Sequence, residues 1–205
     1  MIAIVDYGLG NLFSVAKALE MLGAPVKITS NPVDLKEADK IILPGVGAFG
    51  DGMLNLKARG LSEVLKEEVV NNHKPFFGIC LGLQLLADQG FEFGEHVGLG
   101  FIPGQVTKLE VEGQGLKVPH VGWNDLELTG DSPLFKGLKP GADFYFLHSY
   151  QLHCADPKMV VATTNYGETI TAAIQFKNIF ATQFHPEKSQ DNGLKILENF
   201  LSWQP

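Results

Sequence analysis

The sequence predicts an α/β fold in which helices flank a mostly parallel central sheet and a subsidiary antiparallel or mixed sheet is attached. Short apolar segments alternate with helical patterns in the first half of the 205-residue chain. From about residue 100, short strand-like segments separated by Gly, Pro and Asn replace this alternation. Apolar strands alternating with helices are typical of a parallel sheet covered on both faces, which fixes the predicted fold class.

The first half contains four predicted strands and the helices between them. Leu12, Val15, Leu19 and Leu22 recur at helical spacing, and Gly23 is expected to end that helix. Each predicted strand is a short apolar run next to a turn signal. The strands are Ile2–Val5, Val26–Thr29, Lys40–Leu43 and Phe76–Ile79, and the further helices are Val33–Ala38 and Leu61–Val69.

The second half contains seven predicted strands and a closing helix, in which Leu194, Leu197 and Leu201 share one face. No repeat, low-complexity segment or obvious linker interrupts the sequence, so we expect one domain over residues 1–205. The predicted strands are Gln105–Glu110, Lys117–His120, Asp125–Leu128, Phe144–Gln151, Met159–Thr163, Thr171–Phe176 and Ile179–Phe184.

Composition limits the partners of this chain. A formal charge of −7 and a pI of about 5.3 argue against nucleic acid, because binding it requires a basic face. Two cysteines are too few for a disulfide framework, which fits a reducing, cytoplasmic location. The apolar run Ile2–Val5 is too short for a signal peptide, and no segment approaches the ~18 apolar residues of a membrane span. Arg59 is the single arginine, so a phosphorylated substrate is expected on another chain.

Cys80 lies where a strand pattern ends and a helical pattern begins, between Gly78 and Gly82. A sharp strand-to-helix turn projects the residue at the turn, and only small neighbours allow the backbone to fold back so tightly. The partial positive charge at the start of a helix would favour a thiolate there. Free cysteines are more often buried core residues, but core packing does not require these flanking glycines. The pattern therefore favours a nucleophile.

A base for this nucleophile is found near the other end of the chain, at His185. In extended chain, residues two apart point to the same side, so the carboxylate of Glu187 can reach the imidazole. Pro186 restricts the backbone between them. A carboxylate that accepts from one ring nitrogen fixes the tautomer and leaves the other nitrogen free to move protons. Alone, this pair could equally be a solvated ion pair on a loop; together with Cys80 it predicts catalysis.

Two further features point to the same predicted site. The run Gly45–Gly50 fits G-x-G-x-x-G, but it follows the third strand and lacks the acidic strand end of a dinucleotide site. We interpret its glycines as exposing N–H groups near Cys80, where an oxyanion would form. Gln84 lies one helical turn after Cys80 and is expected to face the same cavity.

Neither the remaining histidines nor the second cysteine indicates a metal site, and we expect neither a metal nor a cofactor. No pair of the six histidines has convincing metal-ligand spacing. His73 and His96 are expected on the surface, whereas His148 and His153 are expected on opposite faces of one strand. Cys154 is expected to be a structural thiol.

The combination of Gly-Ile-Cys80-Leu-Gly, Pro44-Gly-Val-Gly47 and His185-Pro-Glu187 resembles the class I glutamine amidotransferases over essentially the whole chain. The resemblance implies a flavodoxin-like fold and a Cys–His–Glu triad that releases ammonia from L-glutamine. Finer motifs are similar to the glutaminase subunits of imidazole glycerol phosphate synthases: Asp6–Asn11, Pro119–Asn124, Tyr145–Tyr150 and Gln183–Ser189.

The resemblance also implies roles for individual residues and a partner. The partner is a (β/α)₈-barrel cyclase that forms a heterodimer with this chain, receives the ammonia, and makes imidazole glycerol phosphate and AICAR for histidine biosynthesis. The implied roles are catalysis for Cys80, His185 and Glu187; the oxyanion hole for Val46, Gly47 and Leu81; substrate binding for Gln84, Ser149 and Tyr150; and the partner interface with the ammonia exit for Asn11, His120, Trp123, Asn124, Tyr145 and Lys188.

Two alternatives stay open at this point. Another amidotransferase branch, such as one that feeds pyridoxal phosphate synthesis, would share the triad but should lack the Pro119–Asn124 and His148–Tyr150 motifs. A non-enzymatic, redox-sensing or chaperone-like relative could keep the cysteine, but it would not need Glu187 or Gln84. Labelling of Cys80 by a glutamine-mimicking electrophile separates an enzyme from a sensor, and co-purification with a cyclase barrel separates the two branches.

Overall fold

The computed structural model describes residues 1–111 and 113–205. Within these residues, no helix is both long and apolar enough to span a membrane. The helices are α1 (Leu12–Met21), α2 (Pro32–Glu37), α3 (Phe49–Ala58), α4 (Leu61–Leu65), α5 (Leu81–Gln84) and α6 (Gln190–Ser202). The strands are β1 (Ile2–Val5), β2 (Val26–Thr29), β3 (Lys40–Gly45), β4 (Phe76–Cys80), β5 (Gln89–Gly90), β6 (His96–Val97), β7 (Gly104–Lys108), β8 (His120–Asp125), β9 (Glu127–Leu128), β10 (Asp143–His148), β11 (Tyr150–Cys154), β12 (Val160–Asn165), β13 (Thr169–Phe176) and β14 (Ile179–Thr182).

The strands form one large sheet and two smaller ones. The large sheet has the order β2-β1-β3-β4-β14-β13-β12-β9. Its first five strands are parallel to their neighbours, and the last three pair antiparallel. A four-stranded sheet has the order β11-β7-β5-β6, and β8 and β10 form a separate antiparallel ribbon. The predicted fold class, a mostly parallel central sheet with a subsidiary sheet, is confirmed.

Two apolar cores cover the two faces of the large sheet. Alternate residues of each parallel strand enter different cores, as Phe76 and Phe77 of β4 do. Helices α2, α3 and α4 pack on one face, and α1 and α6 pack on the other. Burial on both faces explains why the inner strands β1 and β4 are apolar throughout instead of alternating with polar residues, as the edge strand β2 does at Lys27.

Three strand predictions in the second half were wrong. Asp125–Leu128 is not one strand, because β8 ends at Asp125 and β9 covers only Glu127–Leu128 in another sheet. The predicted strand Phe144–Gln151 is two strands, β10 and β11, which separate at Ser149 and belong to different sheets. His148 and His153 therefore lie on different strands, not on opposite faces of one strand. Lys117–His120 is also not a strand, because β8 begins only at His120.

Three elements of the first half were not predicted. Helix α3 begins at Phe49, inside the glycine-rich run Gly45–Gly50. That run predicts a loop, because glycine disfavours helix. Burial of Phe49 and Leu56 outweighs this propensity. The helix predicted over Leu61–Val69 is α4, continued by a π-helical segment at Lys66–Asn71. Strands β5 and β6 have two residues each, too short for a detectable alternation.

Candidate active site

The predicted catalytic residues meet at the carboxyl edge of the parallel sheet. Cys80 ends β4, Val46 follows β3, and His185 comes shortly after β14. Strand β4 lies between β3 and β14 in the sheet. Ligands and reacting groups in open α/β sheets collect at this edge, because the loops that leave neighbouring parallel strands converge there.

Cys80 occupies a strained turn between β4 and α5. Its backbone angles are φ 55° and ψ −108°, a region that residues with a side chain rarely adopt. A Cβ at Gly82 would lie 1.8 Å from the carbonyl oxygen of Leu43, and one at Gly78 would lie 2.8 Å from that of Gly82. The two flanking glycines are thus required for the turn, as the sequence indicated. Helix α5 has only four residues, so its dipole is smaller than that of a full-length helix.

Substitution of Gly82 with alanine is expected to destabilise the fold by about 3 kcal/mol, the upper end of the cost of overpacking, because the new methyl group meets backbone. Thermal unfolding measures this as a midpoint lower by about 6–12 °C for a chain of this size. The matched control is Gly52→Ala, whose methyl group would meet flexible Leu85 methyl groups at 3.1 Å. Equal midpoints for the two variants would contradict the required close approach.

His185 and Glu187 form a buried pair in the segment after β14. Nδ1 of His185 lies 2.9 Å from Oε1 of Glu187, and their side chains are 2% and 1% exposed. The Asn11 side-chain amide donates to the same carboxylate oxygen at 3.3 Å. The carboxylate therefore fixes Nδ1 as the protonated nitrogen and directs Nε2 away from itself.

The Cys80 sulfur is the group that Nε2 of His185 faces. Nε2 is buried and has no hydrogen-bond partner of regular geometry among the described residues. Burial alone would lower the pKa of His185, but the negative charge of the nearby Cys80 sulfur and the carboxylate of Glu187 raise it to about 10. The structure thus brings Cys80, His185 and Glu187 together across a separation of more than one hundred residues in the sequence.

A cavity of about 350 Å³ opens beside the sulfur. This volume is within the range of small-molecule sites. Sequence reasoning missed two of the residues that line it, namely Glu92 and Phe93, which lie outside every predicted site residue and motif. The lining residues are Val46, Gly47, Ala48, Cys80, Leu81, Gln84, Glu92, Phe93, Pro119, Leu147, His148, Ser149 and Tyr150.

All six residues predicted for the oxyanion hole and substrate binding line this cavity. Gly47 has φ +111°, a conformation suited to glycine, and Leu81 begins α5 directly after the cysteine. Gln84 is 5% exposed and donates to the carbonyl oxygen of Tyr150 at 2.9 Å. Ser149 lies where β10 and β11 separate. The cavity wall is thus built from the ends of several elements.

The residues predicted for the partner interface divide between the surface and the interior. On the β8–β10 ribbon, Trp123 pairs with Tyr145, and their rings are 6.1 Å apart. The Lys188 ammonium lies 5.7 Å from the centre of the Tyr145 ring. Asn124 is half-buried and donates to a backbone carbonyl at 2.9 Å. Asn11 is also half-buried and contacts the triad carboxylate instead of only facing solvent.

His120 is the fully buried member of this set. It is 2% exposed and stacks between the rings of Phe146 and Tyr166, at centroid distances of 4.9 and 4.0 Å. Side chains alternate between the two faces of a strand, and His120 is on the buried face of the ribbon together with His148. The role of His120 at the partner interface and the ammonia exit stays a prediction, and its side chain lies beneath the exposed face of the ribbon.

Of the remaining histidines and the second cysteine, His73, His96, His153 and Cys154 lie outside the cavity, whereas His148 lines it. Among the described residues, no group of three or more His, Cys, Asp or Glu side chains could hold a metal ion. His73 and His153 are exposed, whereas His96 is half-buried, not fully on the surface. Cys154 is a free thiol packed against the core, and burial raises its pKa to about 11.

Comparisons with known proteins agree over almost the whole chain. The family model described as "Glutamine amidotransferase class-I" matches residues 3–203. The imidazole glycerol phosphate synthase subunit HisH 1 of Campylobacter jejuni (strain RM1221) is 53% identical over 201 residues, which cover 98% of this chain and 99% of that protein. The HisH subunit of Aquifex aeolicus (strain VF5) is 49% identical over 198 residues, which cover 96% and 94%.

Solved structures show the same fold at low sequence identity. A structure titled as a glutamine amidotransferase has a TM-score of 0.75 at 21% identity, with 98% of this chain and 99% of that chain covered. A chain of PurLQS from Thermotoga maritima has a TM-score of 0.74 at 20% identity, with 98% and 97% covered. With the family match and the relatives that are about half identical, these findings show that the chain belongs to the class-I glutamine amidotransferases.

Proposed function

We propose that this chain is the glutaminase subunit of an imidazole glycerol phosphate synthase and hydrolyses L-glutamine to glutamate and ammonia. The observation that carries the proposal is the buried contact of His185 with Glu187 beside the sulfur of Cys80, at the wall of a 350 Å³ cavity. The names of relatives that are 53% and 49% identical support the same assignment.

In the first half of the reaction, the Cys80 thiolate attacks the carbon of the glutamine side-chain amide and forms a C–S bond. The carbonyl oxygen takes the negative charge, and backbone N–H groups at Val46, Gly47 and Leu81 stabilise it. His185 then gives its proton to the amide nitrogen, the C–N bond breaks, and ammonia leaves. A γ-glutamyl thioester on Cys80 remains.

In the second half, His185 is neutral and accepts a proton from a water molecule that attacks the thioester. The C–S bond breaks, glutamate is released, and the thiolate is restored beside a protonated imidazole. Glu187 holds the imidazole in one tautomer and orientation through both halves. Because the raised pKa of His185 keeps its proton at neutral pH, the resting state is ready to protonate the leaving group.

Glu92 is proposed to bind the α-ammonium group of glutamine, since it is the single carboxylate among the described residues that line the cavity. Its Oε2 already accepts from the backbone N–H of Phe49 at 2.8 Å, which fixes its position at the start of α3. Glu92→Gln is expected to lower kcat/KM for glutamine about 10–100-fold, mainly through KM, because a charge-assisted hydrogen bond is lost. Steady-state ammonia release measures the effect.

The control for this variant is Glu95→Gln, an exposed carboxylate of the same loop that accepts from the Gln89 side chain. It is expected to retain the wild-type KM. A Glu92→Gln enzyme with unchanged KM would remove Glu92 from the proposed substrate contacts.

The exposed face of the β8–β10 ribbon is the proposed docking surface for the (β/α)₈-barrel cyclase. Val121, Trp123, Tyr145 and Leu147 share this face, because paired positions of an antiparallel ribbon point the same way. Val121, Trp123 and Leu147 are 53%, 48% and 37% exposed, which is unusual for apolar side chains on one surface. Leu147 also lines the cavity, so a partner on this face would receive ammonia close to where it is released.

The decisive experiment measures ammonia release from glutamine, with the cyclase subunit and its nucleotide substrate added or withheld. The proposal expects turnover that rises when the cyclase is added, and labelling of Cys80 by a glutamine-mimicking electrophile. Absence of both turnover and labelling would favour a non-enzymatic relative. Turnover without any association with the cyclase would favour another amidotransferase branch.

A further inference from the structure

The carbonyl oxygen of Tyr150 accepts two hydrogen bonds at the cavity wall. Nε2 of Gln84 and Nδ1 of His148 each lie 2.9 Å from it. A carbonyl oxygen can only accept, so both neighbours must present an N–H to it. This one atom therefore fixes the orientation of the Gln84 amide and the tautomer of His148.

A first series of hydrogen bonds leads from the Tyr150 carbonyl to Cys80. Nε2 of Gln84 also lies 3.0 Å from Oε1 of Gln183, so both hydrogens of the Gln84 amide are donated. Accepting at Oε1 turns the amide nitrogen of Gln183 to the other side, where it lies 3.6 Å from the Cys80 sulfur. Gln183 is 0% exposed, so no solvent competes for this amide.

A second series of hydrogen bonds leads from the Tyr150 carbonyl to the β8–β10 ribbon. Burial lowers the pKa of His148 to about 3, and it is therefore neutral with Nδ1 protonated. Its Nε2 then accepts from Nδ1 of His120 at 3.0 Å, and Nε2 of His120 accepts from the Asn124 amide at 3.4 Å. Each hydrogen bond in this second series has one donor and one acceptor. His148 therefore cannot turn away from the Tyr150 carbonyl without losing its hydrogen bond to His120 as well.

We propose that Gln183 is a further catalytic residue, whose side-chain amide donates to the Cys80 thiolate in an orientation that the Tyr150 carbonyl fixes through Gln84. The inference rests on the proposed glutaminase function. With the amide of Gln183 reversed, its oxygen would face the sulfur and oppose the negative charge. In the fixed orientation, the N–H favours the thiolate that attacks glutamine. Gln84 is a positioning residue, because it orients the Gln183 amide in addition to lining the cavity.

The test measures the rate of Cys80 alkylation by iodoacetamide as a function of pH. A Cys154→Ser background is used so that Cys80 is the thiol that is alkylated. Gln183→Met removes the donor, and Gln183→Glu replaces it with an acceptor. Both are expected to move the midpoint of the alkylation profile upward by about one pH unit, which makes alkylation about tenfold slower at any pH below both midpoints. His185, Tyr7 and His148, the titratable groups around the sulfur, stay unchanged in every variant.

A second variant separates orientation from direct contact. Gln84→Met cannot donate to Gln183, so its midpoint is expected to move in the same direction although residue 84 makes no hydrogen bond to the sulfur. In the double variant Gln84→Met with Gln183→Met, the alkylation midpoint is expected to shift no further than in Gln183→Met alone, because both changes break the same series of hydrogen bonds. Fully additive shifts would overturn the fixed orientation.

The control is Gln151→Met, another buried glutamine, whose Oε1 accepts from the backbone N–H of Thr171. Its midpoint is expected to equal that of the wild type, and thermal unfolding checks that each variant is folded. A wild-type midpoint in folded Gln183→Met and Gln183→Glu would overturn the proposal. Alkylation requires no glutamine, so a failure of this inference is distinguishable from a wild-type chain that releases no ammonia from glutamine.

Discussion

Replacement of Cys80 with serine is expected to lower glutamine turnover by at least about 10³-fold, with little change in stability. Removing the nucleophile of a covalent triad leaves only the rate enhancement from binding and from the oxyanion hole. A serine hydroxyl stays neutral beside His185, whereas the cysteine can attack as a thiolate. Because serine fits the strained turn between Gly78 and Gly82, the fold should tolerate the change. Steady-state ammonia release and thermal unfolding measure the two effects.

The control is Cys154→Ser, which changes the other free thiol of the chain. Cys154 lies at the end of β11, outside the residues that line the 350 Å³ cavity. This variant is expected to turn over glutamine at the wild-type rate. Substantial turnover by Cys80→Ser, in a preparation free of contaminating glutaminase, would contradict covalent catalysis at this position.

Glu187→Gln is expected to lower kcat by about 10²–10⁴-fold while the side chain stays nearly isosteric. An amide can present either its oxygen or its N–H to Nδ1 of His185, so the tautomer is no longer fixed, and the equivalent change in a serine triad has a loss of about 10⁴. Glu198→Gln is the control, because its carboxylate lies on the solvent-facing side of α6 in an ion pair with Lys195. Turnover equal to wild type in Glu187→Gln would remove this carboxylate from the mechanism.

The same variant has a predicted pH signature. Glu187 is one of the groups that raise the pKa of His185 to about 10, after Cys80 and against the effect of burial. Without this carboxylate the imidazole loses its proton at lower pH, so the basic limb of the kcat/KM profile should move to lower pH. In the wild type, the stability that His185 gains from its partners is fully present below pH 6.5 and is lost as pH rises towards 10.

The sequence predicted the strand-to-helix turn at Cys80 because its signals are local. An apolar run, two glycines at fixed spacing and the start of a helical pattern all fall within ten residues, and the close approach of Gly82 to Leu43 shows why the glycines are there. The pairing of His185 with Glu187 was predictable for the same reason, since two residues of extended chain separate them.

Features that depend on how distant segments pack were less predictable. Glu92 lines the cavity from a loop between two strands of two residues each, which show no periodicity in the sequence. The burial of His148 could have been recognised from alternation, because it has the same parity as Phe144 and Phe146 in the pattern of β10. The burial of His120 depends on its pairing with His148. The register that pairs His148 with His120 is a property of the folded ribbon, which the sequence alone does not give.

The position of β14 in the large sheet sets the order in which the catalytic groups can come together. Strand β14 comes last in the chain but lies between β4 and β13, in the middle of the sheet. During translation, a nascent chain that extends only through β13 holds the cysteine without its imidazole partner. The triad is therefore complete only once this strand has been synthesised and inserted, because His185 and Glu187 follow it.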